Sequence, residues 1–171
     1  MRYHTIRKMD ISNGPGIRVS IFMQGCTFNC PNCFNKETHD FAGGKEFNDE
    51  VIAKVLSLCS LNHIVGLSIL GGEPLHPKNI LGSTELAKKF KEAYPQKSLW
   101  VWTGFLYENV KDNEIFEYID VLVDGQYKDE LHDFRLKWRG SSNQRVIDIK
   151  KSRKANEVIL LEEESKSITH Y

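Results

Sequence analysis

Residues 64–74 read IVGLSILGGEP, a nearly unbroken apolar run that stops at two glycines, a glutamate and a proline. A strand exposed on one face alternates apolar with polar residues. A continuous run of this length suits a strand buried on both faces, as in a parallel sheet covered by helices. The two glycines let the backbone approach a ligand, and Pro74 stiffens the exit. On either side of it, IRVSIFM (17–23), SLWVW (98–102), DVLVD (120–124) and RVIDI (145–149) also read as strands, with EVILL (157–161) as a last one. Between them, Val51, Ile52, Val55, Leu56 and Cys59 form one helical stripe, with Asn48 placed to cap its start. Leu86, Phe90, Ala93 and Tyr94 form a second stripe with lysines opposite, and 108–119 contains a short helix. NGPG (13–16) is a turn and THDFAGGKE (38–46) is irregular.

Strand and helix alternate along the chain, which predicts an α/β fold with a mostly parallel sheet and helical crossovers. A complete eight-stranded barrel needs about 250 residues, and this chain has 171. The expectation is therefore a partial, incomplete β/α barrel: a single domain over residues 1–171, its tail loose from about 162. In open sheets and barrels alike, ligands gather at the carboxyl ends of the strands. The distinctive stretches all follow strands: three cysteines after 17–23, GGEP after 64–70, TGF after 98–102 and DGQY after 120–124. These four distant segments are expected to meet at one edge.

Lys+Arg and Asp+Glu each number 23, so the formal net charge is zero and nothing pulls the whole molecule toward nucleic acid or anionic lipid. No run of eighteen apolar residues suggests a membrane span, and MRYHTIRKMD has no secretory apolar stretch, so the expected location is cytoplasmic. The six histidines form no HExxH pair, and no Ser-His-Asp arrangement emerges.

Three of the four cysteines, Cys26, Cys30 and Cys33, fall in CTFNCPNC (26–33). Four unevenly spaced cysteines do not make a disulfide framework in a chain of this length. Thiolates favour zinc or iron–sulfur clusters over hard cations. Cys59 sits on a helical apolar stripe, as a small buried hydrophobe would. Three ligands on a four-iron cubane leave one iron free for another molecule. A zinc completed by His39 or His63, or a Cys30–Cys33 thiol pair, stays open on spacing alone. Glu73 is a candidate acceptor for a ligand ammonium. Thr103-Gly104-Phe105 and Asp124-Gly125-Gln126-Tyr127 are weaker signals, each also an ordinary turn. Residues 135–154 hold eight basic residues and one acid, Asp148. Within them, Arg139 to Arg145 could clamp a carboxylate or phosphate.

The C-x3-C-x2-C form of CTFNCPNC resembles the radical S-adenosylmethionine superfamily. With NGPGIR (13–18), QGCTFNCPNCFN (24–35), GGEPL (71–75), WTGF (102–105), VDGQY (123–127) and WRGSSNQRVID (138–148), the chain is similar to the activating enzymes of anaerobic, class III ribonucleoside-triphosphate reductases. The resemblance implies that Cys26, Cys30 and Cys33 hold a [4Fe-4S] cluster whose fourth iron binds S-adenosylmethionine. It implies that Gly71, Gly72 and Glu73 receive the methionyl ammonium and that Asn13, Gly14 and Gly16 form a loop beside the cluster. Thr103, Asp124 and Arg139 are further cofactor-binding candidates. The implied reaction is reductive cleavage of S-adenosylmethionine and formation of a glycyl radical on the large reductase subunit. No acid–base residue is needed for that step. A reduced flavodoxin-type protein is the implied electron donor, and a homodimer or heterotetramer is the implied assembly. Some activases of other glycyl-radical enzymes carry extra ferredoxin-like cysteines, which this chain lacks. The residue before the last cysteine is aromatic in many superfamily members and commonly glycine in this subgroup; here it is Asn32.

Overall fold

The computed structural model of the protein describes residues 1–162; the loose tail expected beyond that point lies outside the described residues. Along the chain the strands are Arg2–Asp10 (β1), Ile17–Met23 (β2) and Lys45–Glu46 (β3). The helix Asp49–Cys59 (α1), the strand Ile64–Gly71 (β4), the helix Ile80–Ala93 (α2) and the strand Ser98–Trp102 (β5) follow. A short helix Tyr107–Val110 (α3), the strands Val121–Asp124 (β6) and Arg145–Asp148 (β7), and the helix Ile149–Ala155 (α4) complete the order.

All seven strands share one sheet in the order β3-β1-β2-β4-β5-β6-β7. The inner strands β2, β4, β5 and β6 are mutually parallel, with Val19 opposite Leu67 and Val101 opposite Leu122. The pairings β1–β2, β1–β3 and β6–β7 are antiparallel. The sheet is therefore mixed, which corrects the expectation of a mostly parallel one. Two connections explain the difference. Residues 11–16 are too few for the crossover of about a dozen residues that a parallel neighbour needs, so β1 folds back on β2. Residues 125–144 stay at the carboxyl edge of the sheet, so β7 enters from that edge, Arg145 opposite Asp124. The last expected strand, 157–161, reduces to one bridge between Leu160 and Ile147.

Alternation along the strands sorts the residues onto two faces. Val19, Ile21, Met23, Leu67, Ile69, Leu99, Val101 and Leu122 pack with Ile52, Val55 and Cys59 of α1 and Leu86, Ala87 and Phe90 of α2 in one core. Asn48 caps α1, its side chain accepting from the Val51 amide at 3.1 Å. The opposite face has a second, smaller cluster of Trp100, Val121 and Val123 with Trp102, Trp138 and Val146 around it, and among the described residues no helix contributes to it. There Arg18 is fully buried. Its guanidinium donates to Ser68 Oγ at 2.8 Å, the Leu67 carbonyl at 2.9 Å and the Ser98 carbonyl at 2.8 Å, and lies over the Trp100 ring. A buried cation keeps its charge only when its donors are satisfied in this way.

Candidate cluster and cofactor site

The loops after four parallel strands converge, as their sequence positions led us to expect. A cavity of about 640 Å³ on the helix-free side is lined by Cys26, Cys30 and Cys33, by Gly71, Gly72 and Glu73, by Thr103 and Gly104, and by Gly125 and Tyr127. Asn13, His39 and Arg139 also line it.

The loop after β2 is held by backbone bonds. Gly25 and Cys26 donate to the carbonyls of Thr38 and His39 at 2.7 and 3.1 Å. Two left-handed residues turn it between the cysteines, Asn29 at φ 49° and Asn32 at φ 55°. Asn32 also donates to Asp129 Oδ2 at 2.8 Å. Asparagine tolerates the left-handed region better than most residues with a Cβ, so Asn32 meets the same backbone demand that glycine meets at no cost. All three thiols are free and half-buried. Burial pushes the Cys26 thiol up to about 11 and raises Cys33 as well. Metal loading therefore has to displace protons.

Gly71 sits at φ 109°, with Met23 backbone atoms 2.6 Å from where a Cβ would be. A Cβ on Gly72 would meet the Gly25 carbonyl at 2.6 Å. Gly71 is demanded by the close approach of the turn to the end of β2, and Gly72 by its approach to the start of the cysteine loop. Glu73 is almost completely buried. Its Oε1 accepts from the Leu75 amide at 2.9 Å and from Thr103 Oγ1 at 2.7 Å; its Oε2 accepts from the Gly104 amide at 2.7 Å. Burial outweighs these bonds and pushes its carboxyl up to about 7.

Asn13 is anchored by its side chain donating to Asp10 Oδ2 at 2.6 Å and by its carbonyl accepting from Ser68 Oγ at 2.6 Å. Gly14 and Gly16 are not among the cavity-lining residues; both hold positive φ in the turn that carries Asn13. Arg139 lines the cavity while its Nη1 donates to the Gln144 carbonyl. Asp124 is buried apart from the cavity lining. Its carboxylate accepts from Arg145 and from the Tyr107 amide at 2.8 Å, and Arg145 also pairs with Glu108. His63 precedes β4, at the opposite end of the sheet from the cysteines.

Two residues that were not candidates on sequence also shape the site. Phe28 packs edge-on against Phe105, 4.9 Å between centroids, beside Gly104. Asn79, buried at the start of α2, reaches the turns after β2 and β4. Its sequence signal is only its place five residues after GGEP.

The donors fit an iron–sulfur cluster: three soft thiolates on one short loop, facing a cavity. Among the described residues no three His, Cys, Asp or Glu side chains are placed to share a single metal ion. In a cubane each cysteine takes its own iron, so its thiols need not converge.

A sheet whose carboxyl edge presents three clustered thiols to a ligand-sized cavity defines a single-cluster iron–sulfur protein. The family described as 4Fe-4S single cluster domain matches residues 12–147. An anaerobic ribonucleoside-triphosphate reductase-activating protein of Salmonella typhimurium is 41% identical over 152 residues, covering 85% of this chain and 97% of that protein. Proteins with the same name from Escherichia coli K12 and bacteriophage T4 are each 38% identical, covering 85% of this chain and 97% and 93% of theirs. The chain belongs to the 4Fe-4S single cluster domain family and, within it, to the anaerobic ribonucleoside-triphosphate reductase-activating proteins.

Proposed function

We propose that this protein activates an anaerobic ribonucleoside-triphosphate reductase as a radical S-adenosylmethionine enzyme, its inner strands serving as an open segment of a β/α barrel. A [4Fe-4S] cluster with S-adenosylmethionine would supply one-electron cleavage of the sulfonium, giving methionine and a 5′-deoxyadenosyl radical that takes hydrogen from a glycine Cα of the large reductase subunit.

In this reading Cys26, Cys30 and Cys33 would hold the cluster, and the ligand's amino and carboxylate groups would bind the iron that the three thiolates leave free. Gly71, Gly72 and Glu73 receive the ammonium. Among the described residues Glu73 Oε2 takes a single donor, Gly104, so it has room for one more. Thr103 aims the Glu73 carboxylate by donating to its other oxygen. Asn13 contributes from the turn shaped by Gly14 and Gly16, and Arg139 supplies a cation at the cavity wall. Placement within the cavity restricts what a primary carbon radical can reach. The partner is the reductase subunit, whose glycine loop enters at the mouth, and the donor is a reduced flavodoxin-type protein. Free thiols suit a reducing cytoplasm; among the described residues no helix is long and apolar enough to cross a membrane.

The observation that carries the reading is the meeting of three cysteines, with no fourth, and a Gly-Gly-Glu turn on one cavity. Oxygen-free reconstitution is expected to load about four irons with matching sulfide per chain. Reduced with S-adenosylmethionine, the protein should then form 5′-deoxyadenosine and, with the reductase added, a glycyl radical signal. An iron-loaded, reduced protein that forms no 5′-deoxyadenosine would rule the mechanism out.

A further inference from the structure

We infer that Asn79 is a positioning residue: its buried side-chain amide fixes the distance between the cysteine loop and the Gly-Gly-Glu turn, and so sets how tightly S-adenosylmethionine is held beside the cluster. The inference rests on the function proposed above.

Asn79 is the residue before α2, where an asparagine side chain ordinarily caps the helix by accepting from an amide of its first turn. Here it makes no such bond. Its Nδ2 is turned away from the helix and donates to the carbonyl of Gln24 at 3.1 Å, of Glu73 at 3.0 Å and, more weakly, of Gly25 at 3.4 Å. Gln24 and Gly25 lead into Cys26, and Glu73 ends the Gly-Gly-Glu turn. One amide thus ties together the two segments that would carry the cluster and its ligand. The side chain is shut away from solvent, so water cannot replace what it donates. The same junction contains Glu73 N donating to Gly25 O at 2.8 Å and Gly72 N to Met23 O at 2.9 Å. A neighbour supplies an internal control. Ser83, one turn into α2, donates through its hydroxyl to the Pro74 carbonyl at 2.9 Å, on the Gly-Gly-Glu side of the junction.

The test compares Asn79→Ala and Asn79→Asp with Ser83→Ala. Asn79→Asp keeps the shape but turns an oxygen toward three carbonyls. In the metal-free full chain, amide exchange at Gly72 and Glu73 should speed up about tenfold in both Asn79 variants and stay unchanged in Ser83→Ala. In the iron-loaded protein, the ligand-induced change in the reduced cluster's spectrum should need about tenfold more S-adenosylmethionine at unchanged iron content. Equal exchange and equal ligand affinity in Asn79→Ala would overturn the inference. So would an effect of the same size in Ser83→Ala, which would mark a general loosening of the helix start. If Asn79→Asp fails to fold, Asn79→Ala decides. Failure of the unaltered protein to respond to S-adenosylmethionine would instead refute the function, leaving the exchange result to judge Asn79 by itself.

Discussion

The two faces of the sheet are built from alternate residues of the same strands, yet they differ in kind. Toward the helices, Val19, Ile21, Leu67, Ile69, Leu99 and Val101 belong to one apolar core. Away from them, the same strands place Arg18, Ser20 and Ser68, all buried, beside Phe22, Leu70 and Trp102, which line the cavity. The helix-covered face is held by burial of apolar surface, and each side chain there contributes independently of any ligand. The opposite face relies on Arg18 and Ser68, whose polar groups are satisfied, and on loops held at fixed distances. One face secures the fold and the other arranges the chemistry, so substitutions on the two should fail in different ways.

The largest contrast is expected between Cys30→Ala and Phe90→Ala. Losing one thiolate should abolish cluster loading, read as iron and sulfide per chain, while shifting the stability of the metal-free chain by less than about 0.5 kcal/mol. Phe90 is wholly buried against the helix-covered face. Its truncation should cost about 3–5 kcal/mol in denaturant unfolding, with the fraction that stays folded still able to bind iron. A protein in which Cys30→Ala unfolds the chain would break the division between the faces.

A smaller effect is expected at Glu73, where the faces oppose each other within one residue. Its carboxyl, ordinarily near 4.5, is pushed up to about 7, first by burial. The folded chain therefore holds this proton more tightly than the unfolded chain. As pH rises from about 4.5 to about 7, the unfolded state gives up its proton first, and stability falls by about 3 kcal/mol. Below 4.5 that contribution is fully present. Glu108, held down to about 2 first by its hydrogen bond from Arg145, completes its titration below this window. Affinity for a ligand ammonium should run the other way and climb as Glu73 ionises. Glu73→Gln should flatten both profiles and set an amide donor against the Gly104 amide. Denaturant unfolding of metal-free protein at pH 5 and 8 checks the first half, and ligand titration over the same range checks the second.

The inner strands were readable because a strand covered on both faces writes its burial as a continuous apolar run. IRVSIFM and SLWVW match β2 and β5 residue for residue. β1 was missed for the converse reason. Arg2, Arg7, Lys8 and Asp10 fill RYHTIRKMD, and only Tyr3 and Asp10 are buried, so its pairing with β2 leaves little hydrophobic trace. α4 was missed because Ile149–Ala155 is too short to show a helical period. At the site, residue type was enough to find the thiols and the Gly-Gly-Glu turn. The Asp124–Arg145 pair depends on β7 returning antiparallel beside β6, and no local pattern announces that. Asn79 was hidden too, since its partners are carbonyls on two distant loops.

The smallest expected effect concerns Asn32 and tests whether the cysteine loop is set by backbone conformation or by side-chain contact. At φ 55° an L residue pays a steric penalty that glycine escapes. The Asn32 bond to Asp129 lies at the surface, where water competes for both partners. If conformation governs, Asn32→Gly should change stability by less than about 0.5 kcal/mol, with iron content unaltered. Asn32→Ala should cost about 1 kcal/mol, because it loses both the contact and the asparagine's tolerance of the left-handed region. If contact governs, the two variants should weaken cluster loading equally, and Asp129→Ala should reproduce the loss. The geometry favours the first outcome, since the φ value persists whatever the side chain touches, whereas the bond to Asp129 has no protection from solvent.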